Sequence, residues 1–211
     1  MSRALVAALV AFLPVAALAD RGALSLEGGA GVSAPFLPAP YATDAKRLRV
    51  TAPSVWLGGR YALSHSLEVV ASGFWEPSVT AWHNAANIDS GGSRFPGTLN
   101  HSVQRFGAVA GPRLVHGMVW RVSLGLDVGW SQRRYSGFRH IDVSTASPVA
   151  YDLELRDFTA NNFLLSPVIG LEWAGGDHWS VSLQPRVQLL LGAEATVVFT
   201  APLTFSWSWY L

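Results

Sequence analysis

Few residues in this chain are spaced for chemistry. His178-Trp179-Ser180 is its one H-x-S, and Glu194 lies beyond the following hydrophobic segment. A serine nucleophile needs a histidine base within hydrogen-bond reach and a third group that orients the base. Spacing i, i+2 puts His178 and Ser180 on one face of a strand. Glu194 falls at the far end of that strand, some seven steps of roughly 2–3 Å tilted rise away. The histidines are dispersed: His65, His116 and His178 fall in short connections, and His83, His101 and His140 in long ones. Neither group has H-x-x-x-H spacing, so no metal centre and no cofactor are expected. His83, His101 and Asp142 are the one loop set that could share an ion. Arg133, Arg134, Arg139 and His140 crowd another long connection, whose return arm carries Asp152, Glu154 and Asp157. These arginines suit phosphate oxygens, and they also suit the acids of their own return arm.

Composition narrows the setting. The chain has 211 residues, half of them hydrophobic, with nine Trp, no Cys and a formal charge of +1. No internal stretch is apolar for long enough to be a membrane-spanning helix. Without Cys there is no disulfide, Cys-ligated zinc or lipidated cysteine, and the weak net charge gives no call to nucleic acid. Of 15 basic residues only Lys46 is lysine. Arginine suits paired, partly buried positions better than it suits a washed surface, and a GC-rich genome would give the same bias. Residues 1–19 read as a signal peptide: Arg3, the apolar run Ala4 to Ala16, then Ala17-Leu18-Ala19 as the cleavage site.

The rest is organised by period two. Trp120, Val122, Leu124, Leu126, Val128 and Trp130 alternate with Arg121, Ser123, Gly125, Asp127 and Gly129. One face is apolar with Trp at both ends, and the other is small or charged. Trp179 to Leu191 and Val197 to Leu211 repeat the pattern. Leu24–Ala34, Val50–Leu63, Leu67–Val79, Phe106–Leu114 and Phe163–Trp173 follow it less cleanly, which makes eight strands. A soluble barrel has the same alternation turned inside out. Three features place the apolar face outward. The strands are long enough to cross a bilayer at a tilt, aromatics mark their ends like interfacial girdles, and the opposite faces hold Gly, Ser and balanced charge. Short connections at 64–66, 116–118 and 174–178 alternate with long ones at 35–49, 81–101 and 132–162. Pro185 and Pro202 each remove a ladder donor and predict local irregularity.

The mature chain therefore reads as an eight-stranded antiparallel up-and-down transmembrane β-barrel. In architecture it resembles the small outer-membrane barrels of the OmpA, OmpX and OmpW type. Its end, Phe205-Ser206-Trp207-Ser208-Trp209-Tyr210-Leu211, is similar to the terminal signal read by the barrel-assembly machinery, which implies Phe205, Trp207, Trp209 and Leu211 as that signal. That signal commonly ends in Phe or Trp, where this chain has Leu211. The resemblance implies a bacterial outer-membrane location, both termini periplasmic, a monomer, and lipid and lipopolysaccharide as surroundings, with Arg133, Arg134 and Arg139 near the lipopolysaccharide phosphates. His178-x-Ser180 with a later Glu194 is also similar to the lipid A deacylases, eight-stranded barrels that hydrolyse lipid A. That family continues with Asn where this chain has Val181.

With polar faces inward, the lumen receives Glu27, Glu68, Glu76, Asp127 and Glu172 against Arg60, Arg105, Arg113, Arg121 and Arg186. An eight-stranded barrel is wide enough only for its own side chains, and charges in such a space must pair. The expectation is a plugged lumen and a non-enzymatic barrel acting in envelope integrity or surface interaction through its external loops. The alternatives are an OmpW-like channel for a small or hydrophobic solute, and a lipid A-modifying hydrolase.

Overall fold

The computed structural model describes residues 22–42, 44–142, 147–192 and 195–210. Residues 1–19, Glu194 and Leu211 lie outside that set. Eight long strands form the wall: β1 Ala23–Leu37, β2 Ala52–Ser64, β3 Leu67–His83, β4 Thr98–Gly117, β5 Trp120–Asp142, β6 Phe158–Ala174, β7 in two pieces Trp179–Leu183 and Arg186–Gly192, and β8 Thr196–Tyr210. Each pairs antiparallel with its sequence neighbour, and β8 pairs β1 from Ala23↔Tyr210 to Pro35↔Val198, which closes the ring. Ala23 and Tyr210 meet at the end of the barrel that carries the short turns. This is the turn end; the opposite one is the loop end.

The alternation read from the sequence sets the two faces. Leu124, Leu126, Val128 and Trp130 of β5 are exposed, as are Leu203, Phe205, Trp207 and Trp209 of β8, while Asp127, Thr204 and Ser206 are buried in the lumen. An apolar belt thus runs round the outside, bounded by Trp120, Trp173, Trp207 and Trp209 at the turn end and by Trp75, Phe106, Trp130 and Phe163 at the loop end. The ten steps from Trp120 to Trp130, tilted as strands of such barrels are, match a hydrocarbon layer of about 25 Å.

The loop-side ends of the strands correct the sequence reading. β5 runs on to Asp142, β4 starts at Thr98 and β3 reaches His83, so Ala81, His83, His101, Arg133, Arg139 and His140 are strand residues and not loop residues. At the other end His116 also belongs to β4, the turn being residues 118–119. Past the girdle the polarity inverts. Thr80, Gln104, Arg134 and Thr159 face out, while Leu37, Ala81, Val103, Tyr135 and Ala160 form a buried cluster inside. This is the pattern of a sheet in water. A search for apolar-out alternation stops where the pattern turns inside out, at Trp130 on β5.

The prolines act as expected in part. β7 breaks at 184–185, although its register with β6 is kept from Leu171↔Leu183 to Val168↔Arg186. β8 passes through Pro202 unbroken. Ile169 N donates to Pro185 O at 3.1 Å and Gln184 N to Pro202 O at 3.0 Å. The return bond of each antiparallel pair has no N–H to make it. An apolar cleft of about 380 Å³ opens on the outer wall there, lined by Val32, Pro167, Ile169, Pro185, Val187 and Phe199.

Candidate functional site

All ten residues assigned to the lumen from the sequence lie inside the barrel, and they form layers. At the turn end Arg60 is the hub. It donates to both Glu172 oxygens at 2.5 and 2.9 Å and to Ser180 Oγ at 3.0 Å, and stands 3.4 Å from Glu27 and 3.8 Å from Glu68. Arg121 bridges Glu68 at 2.5 Å and Glu172 at 3.0 Å. Next, Arg113 grips Asp127 through two bonds of 2.5 and 2.7 Å. Arg186 approaches the same carboxylate at 3.4 Å and donates to Gln184 Oε1 at 2.7 Å.

An apolar layer follows, made of Trp56, Phe74, Val109, Leu164, Leu190 and Val198. It is fastened to the charged layers by cation–π contacts: the Arg186 guanidinium lies 4.3 Å from the Trp56 ring centre and that of Arg105 4.7 Å from Phe74. Arg105 also forms a two-point ion pair with Glu76 and donates to Gln188 at 2.7 Å. Five acids and five bases in so narrow a space need near-complete pairing, and these contacts supply it.

Among the described residues the lumen holds three small spaces of note. A polar vestibule of about 240 Å³ opens at the turn end, lined by Arg60, Glu68, Arg121, Glu172 and Ser180. Below it, a cavity of about 10 Å³ lies among Glu27, Arg60, Arg113 and Gln184, and another of about 10 Å³ beside Glu76, Arg105 and Arg133. Each has the size needed for a single water.

Arg133 was missed as a lumen residue. It is fully buried, 5.9 Å from the Tyr135 ring centre, directly across the ladder from Arg105. Its parity carried the signal, since Asp127, Ser131, Arg133 and Tyr135 are all odd positions of one strand. Arg133 therefore does not belong to a lipid-facing basic set. Arg134 and Arg139 do face outward and are exposed, above the Trp130 girdle.

The loop end is closed by rings. Phe158 stacks on Tyr135 at 4.7 Å and on Phe138 at 6.0 Å, and Tyr41 meets Phe138 edge-on at 5.2 Å. Asp44 accepts from Asn87 Nδ2 at 2.5 Å and from Arg94 at 2.8 Å, which ties two loops together. His83 and His101 lie buried beside this cluster, with their Nε2 atoms 3.2 Å apart. Desolvation holds both rings below the usual histidine pKa, His101 at about 4, where proximity to His83 adds to the effect. Asp142 does not join them; it accepts from Tyr151 Oη at 3.2 Å. His140 Nε2 donates to Ala86 O at 2.8 Å. The three-residue ion site is not assembled.

His178 and Ser180 do not share a face. β7 begins at Trp179, so His178 belongs to the turn: it is exposed, stacked on Trp207 at 5.9 Å, with Nδ1 3.3 Å from Ser208 O. Ser180 points into the lumen and accepts from Arg60. The i, i+2 rule holds only within a strand. Glu194 is outside the described residues. Phe205, Trp207 and Trp209 all stand on the outer wall.

A closed eight-strand ring with an apolar belt and a salt-bridged interior is the fold of the small outer-membrane β-barrels. Solved structures agree. The chain is similar to OprG of Pseudomonas aeruginosa (10% identity, 90% of this chain and 97% of that one, TM-score 0.57). It is similar to Ail, the attachment invasion locus protein of Yersinia pestis (13%, 90% and 99%, TM-score 0.52), and to neisserial surface protein A (10%, 89% and 99%, TM-score 0.50). No family model and no curated protein sequence matches the chain. At these identities the likeness is one of fold.

Proposed function

We propose that this protein is a plugged, non-enzymatic barrel that serves envelope integrity or surface interaction through its loop end, with that end external and both termini periplasmic. Lipid and lipopolysaccharide surround it, Arg134 standing just beyond the Trp130 girdle and Arg139 further out on the same strand, and the barrel-assembly machinery reads its last strand. The observation that carries this reading is the filled lumen: beyond the turn-end vestibule the two cavities are about 10 Å³ each, too small for a hydrated ion. The purified barrel in a planar bilayer should give no discrete conductance steps. Steps that persist across preparations would sink the reading.

A second reading has one observation in its favour. The apolar cleft at Pro167 and Pro185 sits in the belt, where an apolar solute could meet the wall from the lipid side, as in an OmpW-like conduit. Uptake of an apolar dye by vesicles holding the barrel, lost when Pro185 is replaced by Val, would favour this reading over the first.

A further inference from the structure

Two buried histidines at the loop end face each other through the same ring nitrogen. We propose that His83 and His101 form a site for one transition-metal ion with tetrahedral preference, typified by Zn²⁺, bound through both Nε2 atoms.

The bite fits. Two imidazole nitrogens on one tetrahedral Zn²⁺ at about 2.0–2.1 Å stand about 3.3 Å apart, and here the separation is 3.2 Å. The outer contacts fit as well. A metal-binding histidine normally donates its second ring N–H to a carbonyl or carboxylate, which fixes the tautomer. His83 Nδ1 stands 3.4 Å from Lys46 O, so its proton resides there and Nε2 keeps its lone pair.

The proton inventory points the same way. With His83 Nε2 unprotonated, the 3.2 Å contact requires His101 to donate from Nε2. His101 Nδ1 is then a bare nitrogen, buried and without a hydrogen-bond partner. Such a group is destabilising where it stands. An ion between the two Nε2 atoms would move the His101 proton to Nδ1. Every ring nitrogen then has a role.

Both rings are buried. Tyr135 and Phe138 pack on His101 at 5.5 and 5.3 Å and hold its plane. Among the described residues no third His, Asp or Glu converges there. The chain supplies two positions, and the remaining ones would have to come from a donor outside these two rings. Lys46 ties the site to the first long loop, so an ion held there would brace the closed loop end.

The test uses the untagged full chain in detergent micelles at pH 7.5. Calorimetric titration with Zn²⁺ should show one ion per barrel. His83→Ala and His101→Gln should each weaken it at least tenfold, while His178→Ala, at the opposite end, should leave it unchanged. Heat-dependent gel migration reports whether each variant is folded. Should a variant misfold, Co²⁺ absorption of the unaltered barrel decides, since intense tetrahedral bands are expected. No saturable binding, equal binding by a folded His83→Ala barrel, or octahedral Co²⁺ spectra would each overturn the proposal.

Discussion

Arg60 touches one carboxylate through two bonds and stands near two others. Removing it would leave Glu172, Glu27 and Glu68 buried together with one arginine, Arg121, among them. Breaking a buried pair from one side costs roughly 3–5 kcal/mol, and Arg60→Gln should destabilise the barrel by about that much in urea unfolding from lipid vesicles. Arg134→Gln, on the outer wall, should change the same measurement by less than about 0.5 kcal/mol. A pH dependence belongs to His101. Its folded pKa, about 4, lies below the usual 6.5, so between those values the unfolded chain binds the extra proton. Stability is therefore complete above about pH 6.5 and falls as pH drops toward 4. Melting temperature measured from pH 7.5 to 4 should decline through this window, and His101→Gln should flatten the decline. The lumen charges were legible from parity alone. Arg133 was not, because the apolar-out pattern stops at Trp130, twelve residues short of the strand's end, and the His83–His101 contact was not, because it joins positions 18 residues apart across a bulged ladder.

At the scale of elements, the weak place is the seam through β6, β7 and β8. Pro185 and Pro202 leave Ile169 and Gln184 each without a returning ladder bond, inside a layer that offers no water to replace it. Pro185→Val should restore one bond and raise stability by about 0.5–1.5 kcal/mol, read as a higher temperature for the heat-dependent shift on a gel. A lower temperature would mean that the cleft's packing outweighs the missing bond. The sequence announced irregularity here, and β7 breaks as foreseen. It did not announce that the register survives the break, since register is set by the partner strands' own alternation. Trp120 to Trp130 was the easiest strand to read because one rule governs its whole length. Thr98 to Asn100 and Arg134 to Asp142 were unreadable by that rule because their inner face is apolar and their outer face wet.

For the whole molecule, two environments meet in one tube. Below the girdle the barrel is salt-bridged inside and greasy outside; above it the order reverses. Eight strands and their closure followed from counting alternating segments and connections, which is arithmetic on the chain. The packing that fills the tube required coordinates, because residues from Trp56 to Val198 meet only after the ring closes.

That upper half has a stature. From Trp130 to Asp142, β5 continues for twelve residues, which at roughly 2.5 Å of axial rise each lifts the tip about 30 Å above the headgroups. With the loop end outward, such a turret rises through the inner sugars of the outer leaflet instead of lying beneath them. The Ile88–Ser90 and Ser93–Phe95 hairpin, turned by Gly91 and Gly92 at positive φ, would then be an epitope. An antibody raised against it should stain intact cells, and shaving those cells with protease should remove the stain.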